Sequence, residues 1–579
     1  MKRRVWDQRK QIRTAAWVVA VVLGFVHAAA GRHTMLPDGV SYLDVADKYL
    51  QQDWTWAINA YWSPLYSWLL AGALYLIRPS PYWEYPVVHL VNFLIYVVAF
   101  VCFEFLLSQF IRYLRERVYE NSPDGSFLPP WCWQALGYVL FLWCALVLIT
   151  VEVVTPDMCV AALVFMAAGL LIRIRLHPDN WLNFIFLGLV LGVAYLAKQV
   201  MFPLAFVFLV VAFFSTGHFR KAAPRLLICA VIFLMVCAPF LWALHKTKGR
   251  WTFGDTGPLA YAWIIDDIAP HIHWQGEPAG SGTPAHPTNR ILTDPLVYEF
   301  KQPLKVTYPP WYDASYWNEG LRGHFNLRGQ VKALGSALLQ FYAVFINGPI
   351  AIATLVGFLV LQLYTDRRIW TWLSRIQTWN LLVPAVAALA LYSLVLVEKR
   401  YIGPFVVLIW LSLFSGIRLK ENGSANRLFT SVVLAMTVTS MVIITATSLV
   451  PAYATARDIL KREDGSTPIY WQVADGLSAM GVKPGDQVGF IGEGFAAGSY
   501  WARLAKIQII AEITSGSNFA PKQDVEKFWN GTAATKSAVF EAFSKTGAKA
   551  IIADREPPGD SLAGWQRIGN TDHYIYFLR

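Results

Sequence analysis

Charged residues are scarce, making up 15% of this 579-residue chain against roughly 25% in soluble proteins. That shortage argues against an ordinary globular protein, a disordered chain and a nucleic-acid-binding one. Cysteine is sparse as well. The six present (Cys102, Cys132, Cys144, Cys159, Cys229, Cys237) lie in or beside apolar runs, so the intervening segments carry no disulfide framework. Neither Cys132 with Cys144 nor Cys229 with Cys237 has zinc-ligand spacing with histidines, and all six read as small apolar residues. The sequence has no internal repeat, no low-complexity tract and no P-loop. Gly492-Glu493-Gly494 with Gly498 mimics a dinucleotide turn, but its spacing is loose and a plain strand-to-helix turn is the better reading.

What is abundant points to a membrane. Hydrophobic residues reach 56%, with 25 Trp, 26 Tyr and 35 Phe, and 49 Lys and Arg against 38 Asp and Glu leave a net charge of +11. In a membrane protein such an excess marks cytoplasmic loops and anionic lipid contacts. A spanning helix needs about 20 mostly apolar residues. Such runs fall at 14–30, 87–110, 133–151, 158–174, 181–197, 200–215, 226–244, 337–364, 380–397, 402–417 and 428–448, which makes eleven. A shorter run from Pro64 to Ile77 opens with proline and is rich in Tyr and Trp; it reads as a helix lying in the outer interface. With the N-terminus cytoplasmic, twenty Lys and Arg fall in short inner segments and six in short outer ones, as the positive-inside rule requires.

The expected architecture is an α-helical polytopic membrane protein with about 11 transmembrane helices over 1–450. A small extracytoplasmic α/β domain follows over 451–579, on the periplasmic side of a cell inner membrane. Two outer segments, 31–86 and 245–336, interrupt the membrane part. In the tail, expected strands at 487–491, 507–513, 550–553 and 573–578 alternate with helices near 496–505 and 536–546.

A charge held at membrane depth costs a few kcal/mol, so ionisable residues there are functional candidates. Asp38 follows the first span in Leu36-Pro37-Asp38-Gly39, and Glu152 and Asp157 flank the turn that ends in Thr155-Pro156-Asp157. Lys198 closes another tight turn, and Glu398-Lys399-Arg400-Tyr401 ends the ninth span. Each has a plain reading: Asp157 as a helix-start acid beside a Thr cap, Lys198 as a snorkelling residue, Arg400 as a headgroup contact, Asp38 as a turn acid. Four such turns at one face point instead to shared chemistry. Cations there hold an anionic lipid phosphate, and a carboxylate takes a proton from an acceptor hydroxyl. Tyr61, Trp62, Tyr66 and Trp68 seat an amphipathic substrate. Together these describe sugar transfer from a lipid phosphate. One base and direct displacement predict inversion at the anomeric carbon; retention needs a covalent intermediate.

These residues resemble the GT-C superfamily of polyprenyl-phosphate-sugar-dependent glycosyltransferases, which includes protein O-mannosyltransferases and lipid A aminoarabinose transferases. The matching pieces are Asp38 with Tyr42, Trp62-Ser63-Pro64-Leu65-Tyr66, Thr155-Pro156-Asp157, Leu196-Ala197-Lys198 with Pro203, and Lys399-Arg400-Tyr401 with Pro404. The resemblance implies a GT-C fold, Asp38 as general base, Asp157 as second acid, and Lys198, Arg400 and Tyr401 as donor-phosphate ligands. It admits a divalent metal cation as cofactor, with Asp38 and Asp157 as candidate ligands. Gly39 stands where many relatives have a further acid, and Trp62 where they have lysine. The implied partners are a polyprenyl-phosphate-linked sugar, a lipid, glycan or protein acceptor, and membrane lipids. Tyr42, Tyr61, Trp62, Tyr66, Glu398, His271 and His273 are the candidate substrate contacts, the two histidines lying in the Trp-rich 245–336 loop expected to read the acceptor. A lipid-linked saccharide transporter or flippase is the alternative; its mechanism favours repeated halves and charges near the midplane.

Overall fold

The computed structural model describes residues 2–119, 129–217, 219–268, 272–365, 372–373, 375–417, 423–461, 468–514, 523–559 and 563–578. The chain divides into two compact units. The first comprises Met1–Gly31, His89–Ala243 and Gln330–Ala454, and the second comprises Arg32–Val88, Leu244–Gly329 and Thr455–Arg579.

Among the described residues, six helices are long and apolar enough to cross a membrane: Arg9–Ala30, Pro81–Arg117, Pro130–Ile149, Asp157–Leu176, Arg220–Lys248 and Arg427–Arg457. Four more of the apolar runs form helices of 15–17 residues, namely Trp181–Ala197, Met201–Ser215, Trp379–Ser393 and Lys399–Ser415. The run at 337–364, expected as one span, is instead two helices, Leu327–Phe345 and Pro349–Tyr364, bent by 75°. The break has a local cause. Pro349 has no N–H to continue the ladder and opens the second helix, where its fixed φ is suited to a first turn. The amides of Ile346 and Asn347 both turn back onto the Tyr342 carbonyl at 2.9 Å.

In the first unit the helices pack through aromatic rings and small residues. Phe103 meets Phe141 and Phe165, each at 5.2 Å between centroids. A side chain at Gly188 would collide with the Cys229 backbone, so glycine lets two helices approach closely. All six cysteines are buried and free.

The second unit is built on a seven-stranded sheet in the order β1-β2-β4-β3-β5-β7-β6. Its strands are β1 (Asn289–Thr293), β2 (Leu296–Glu299), β3 (Gln487–Gly492), β4 (Gln508–Thr514), β5 (Ala550–Ala553), β6 (Trp565–Arg567) and β7 (Tyr574–Phe577). The central β4-β3-β5 pairs are parallel and the flanking pairs antiparallel. Parallel strands covered on both faces need near-continuous apolar sequence, and Ile509, Ile510, Ala511 and Ile513 of β4 are all fully buried. The four strands expected in the tail lie within a residue or two of β3, β4, β5 and β7. Two more come from the 245–336 loop, since β2 pairs with β4 at Tyr298–Glu512. The run Pro64–Ile77 is a helix, as is Pro37–Leu50 before it, which carries Asp38 in its first turn.

The Gly492-Glu493-Gly494 turn is not a phosphate cradle. Gly492 has φ +145° and faces the Asp554 carboxylate, which accepts the Glu493 amide at 2.9 Å. Gly494 lies against Glu512. Two carboxylates of the sheet itself fill the space an anion would need.

Candidate functional site

In the first unit, three turns bring Asp157, Lys198, Glu398, Arg400 and Tyr401 together. Helix Asp157–Leu176 starts with Pro156 at its N-cap and no side-chain cap. Thr155 therefore does not cap: its hydroxyl donates to Asp157 Oδ2 at 2.8 Å. Lys198 ends helix Trp181–Ala197 in extended backbone and places Nζ 2.5 Å from Asp157 Oδ1. Glu398 is the N-cap of helix Lys399–Ser415. One residue into that helix, Arg400 Nε stands 2.9 Å from Glu398 Oε2 and 3.7 Å from Asp157 Oδ2. Tyr401 completes the cluster: Lys198 Nζ lies 3.4 Å above its ring centre, and its hydroxyl accepts from Arg400 Nη2 at 3.3 Å.

Asp157 is buried at 3% side-chain exposure, while Lys198 and Arg400 keep 22% and 18%. The sealed Asp157 thus fixes Lys198 and, together with Glu398, holds Arg400, and both cations stay partly open. Such a pair is chemically able to bind an anion by charge-assisted hydrogen bonds. The surroundings of Asp157 do not fit a divalent cation, because its oxygens already face an ammonium, a guanidinium and a hydroxyl donor. Among the described residues no group of three or more His, Cys, Asp or Glu is placed to hold a metal ion.

Asp38 lies in the second unit, half-buried at the start of helix Pro37–Leu50. Trp311 Nε1 donates to Asp38 Oδ1 at 3.2 Å. Around this contact the aromatic side chains converge. Trp311 neighbours Tyr61 at 5.5 Å, Trp62 at 5.9 Å and Trp263 at 6.2 Å, and Phe495 of the tail stands edge-on to it at 4.8 Å. Tyr42 packs on Trp62 at 5.0 Å and Tyr66 at 5.1 Å. Tyr42 and Tyr66 are fully enclosed, whereas Tyr61 and Phe495 are half-open and can meet the apolar C–H face of a sugar ring. Tyr500 belongs to the same neighbourhood: burial pushes its phenol up, and the charges of Asp38 and Glu493 add to the shift.

His273 is placed elsewhere in this unit. Its Nε2 faces Glu512 Oε1 at 2.7 Å and its Nδ1 faces Thr288 Oγ1 at 3.0 Å. Tyr308 also donates to Glu512, at 2.6 Å. Both ring nitrogens are thereby occupied inside the sheet core. His271 falls outside the described residues.

A third cluster was not anticipated from sequence. Arg503, on helix Ser499–Ala505, is 3% exposed and reaches Asp44 and Asp47 through Nη1 at 2.8 and 2.5 Å and Glu84 through Nε at 2.5 Å. Lys506 also pairs with Glu84. The amide and hydroxyl of Thr307 donate to Asp44 at 3.0 and 2.8 Å. Burial pushes the Asp44 carboxyl up, partly countered by Arg503. Burial also pushes Asp47 up, but there the Arg503 guanidinium wins and the net direction is down. The spacing Asp44-x-x-Asp47 on one helix face was a readable signal for a cationic partner; which cation was not.

The helices and mixed sheet have a known precedent, the GT-C fold of integral-membrane glycosyltransferases. The chain is similar in fold to ArnT from Cupriavidus metallidurans in the apo state, with a TM-score of 0.51 and 12% identity over 97% of this chain and 98% of that one. ArnT is a lipid A aminoarabinose transferase of the GT-C superfamily, so the coarse part of the expected fold, a mostly helical GT-C-like chain with several apolar helices and a small C-terminal sheet, is the fold observed. Two further likenesses are more distant. ArnT from the same organism bound to undecaprenyl phosphate aligns at a TM-score of 0.48 and 12% identity, over 97% of both chains. The Archaeoglobus fulgidus oligosaccharyltransferase, tethered to an acceptor peptide containing the NVT sequon, aligns at 0.45 and 12%, over 93% of this chain and 69% of that one. No family model matches the sequence, and no curated protein matches it.

Proposed function

We propose that the chain is a polyprenyl-phosphate-sugar-dependent glycosyltransferase of the inner membrane, passing a hexosyl or pentosyl group to an acceptor on the periplasmic side. The observation that supports this reading best is the pair of partly open cations, Lys198 and Arg400, fixed on the sealed carboxylate of Asp157. In this reading they receive the donor phosphate, with Tyr401 as the floor beneath Lys198. Asp157 acts as a positioning acid that holds both cations without meeting substrate. Asp38 takes the proton from an acceptor hydroxyl, and the freed oxygen attacks the anomeric carbon. The bond from that carbon to the phosphate oxygen breaks, and the electron pair leaves on the phosphate, whose charge Lys198 and Arg400 stabilise. Attack and departure on opposite faces invert the anomeric centre. Tyr61 and Phe495 support the sugar ring beside Asp38.

The test is transfer of labelled sugar from a synthetic polyprenyl-phosphate donor by purified protein in detergent or lipid. We expect turnover that Asp38→Asn removes while leaving the folded protein intact. Asp38→Asn at wild-type rate sinks the base assignment; movement of the donor across vesicles without transfer identifies a flippase instead.

A further inference from the structure

We propose that Arg503, in the C-terminal region, is a positioning residue that sets the orientation of Asp38. The proposal rests on reading Asp38 as the general base and gives the tail a role in the same site.

Helix Pro37–Leu50 carries Asp38 at one end and Asp44 and Asp47 further along. It is held at successive points. Trp311 donates to Asp38 through its indole N–H at 3.2 Å and accepts from the Ser41 hydroxyl through its carbonyl at 3.0 Å. Thr307, four residues earlier, gives two hydrogen bonds to Asp44. Arg503 takes Asp44 and Asp47 together and adds Glu84. The planar guanidinium makes this possible, since its donors leave in fixed directions. The helix can neither rotate nor slide without breaking one of these ties.

Stability alone is a poor account of the arrangement. A buried ion network is often no better for stability than apolar residues of the same volume, and here Arg503 Nη2 is buried with no hydrogen-bond partner among the described residues. Three acids converge on Arg503, with Lys506 pairing with Glu84 and Lys48 also acting on Asp47. What the network supplies is geometry, and a general base depends on geometry more steeply than on anything else. A displacement of about 1 Å can cost about 100-fold in rate.

Helix Ser499–Ala505 also carries Tyr500, whose carbonyl accepts from the buried Tyr85 hydroxyl at 2.7 Å. Arg503 and the neighbour of Asp38 thus share one short rigid element, and Phe495, just before it, touches Trp311. The tail holds the base-bearing helix from one side and walls its aromatic surroundings from the other.

The test uses the full-length protein with a polyprenyl-phosphate-sugar donor and three variants: Arg503→Lys, Asp47→Asn and Asp38→Asn. Arg503→Lys keeps one charge but cannot bridge three carboxylates. Asp47→Asn removes one tie at a partly exposed position while leaving Asp44 and Glu84 in place. We expect kcat per folded molecule to fall about 10- to 100-fold for Arg503→Lys and several-fold for Asp47→Asn, with the donor KM within about twofold of wild type in each. A role confined to folding would lower the yield of folded protein and leave kcat per folded molecule unchanged. Wild-type kcat in Asp47→Asn overturns the proposal, whatever becomes of Arg503→Lys. Absence of transfer by the wild-type protein, or full activity of Asp38→Asn, overturns the functional reading itself and is distinguishable from either result.

Discussion

The two ionic clusters differ in composition and in access. In the first unit a buried carboxylate, Asp157, faces two cations that keep about a fifth of their side-chain surface open, and Glu398 is a second partner of Arg400. In the second, one guanidinium serves three carboxylates, and Arg503, Asp44 and Glu84 are all sealed at 5% or less. An ion pair that retains open surface can exchange a partner for a ligand; one that is sealed can only hold its neighbours. On the proposed function, the same residue types have two tasks, anion capture in one place and orientation of a helix in the other.

That contrast breaks first at Asp38. Asp38→Asn keeps the size of the side chain and its contact with Trp311 but removes the basic oxygen, and general-base catalysis is typically worth 100- to 10,000-fold. We expect a loss of that order in kcat, measured by labelled-sugar transfer. The open cluster should break next. Lys198→Met removes a charge-assisted contact worth about 1.5–3 kcal/mol, so kcat/KM should fall by roughly 10- to 100-fold, with Arg400→Met similar. Asp157→Asn should act through the same two cations and cost less than their joint removal. If Lys198→Met and Arg400→Met leave donor kinetics untouched, the first cluster is structural and the comparison fails.

How much of this was legible in the sequence depends on how local the signal was. Helix Pro64–Ile77 and strand β5 (Ala550–Ala553) were readable to the residue, because proline and apolar periodicity act within a few positions. Asp157, Lys198 and Arg400 were readable as a set because each closes a short turn between apolar runs. The break between Phe345 and Pro349 was signalled by Asn347-Gly348-Pro349, but the length of the apolar run masked it. Arg503 was out of reach: it lies 459 positions from Asp44, and nothing in local spacing names so distant a partner. β1 and β2 were missed for the related reason that short strands in a polar, proline-rich loop gain their order from β4. The loop histidines carried the opposite lesson. His273 was read as a candidate substrate contact in the Trp-rich loop, and the structure places its ring nitrogens against Glu512 and Thr288.

The sealed cluster should respond to acid in a defined sense. Asp47 is held below its ordinary value by Arg503, so its pairing stabilises the fold fully above the ordinary carboxylate value of about 4 and is lost as pH falls below it. Asp44, pushed up by burial, acts the other way: its ionised form is penalised, and that penalty is relieved as pH falls. Comparing thermal melts of wild type and Asp47→Asn between pH 7 and 3.5 isolates the Asp47 part. The wild type should lose more of its melting temperature on acidification than the variant; equal losses would mean that Asp47 does not gain from Arg503.

The smallest expected effect probes the aromatic surroundings of Asp38. Trp311 is the residue through which the long loop reaches Asp38, and its carbonyl is tied to Ser41 at 3.0 Å and to Trp62 Nε1 at 3.2 Å. Trp311→Phe keeps the backbone ties and most of the ring surface while removing the indole donor. The lost hydrogen bond is long, at 3.2 Å, and Asp38 is half-open to solvent, so about 1 kcal/mol is at stake, or roughly fivefold in kcat/KM. Trp311→Ala should cost more, because Tyr61, Trp62, Trp263 and Phe495 all lose a shared neighbour. A Phe variant as impaired as the Ala variant would show that the donor, not the ring, is what Trp311 contributes; a Phe variant at wild-type rate would show the reverse, and would move the control of Asp38 from the loop to the helix that Arg503 holds.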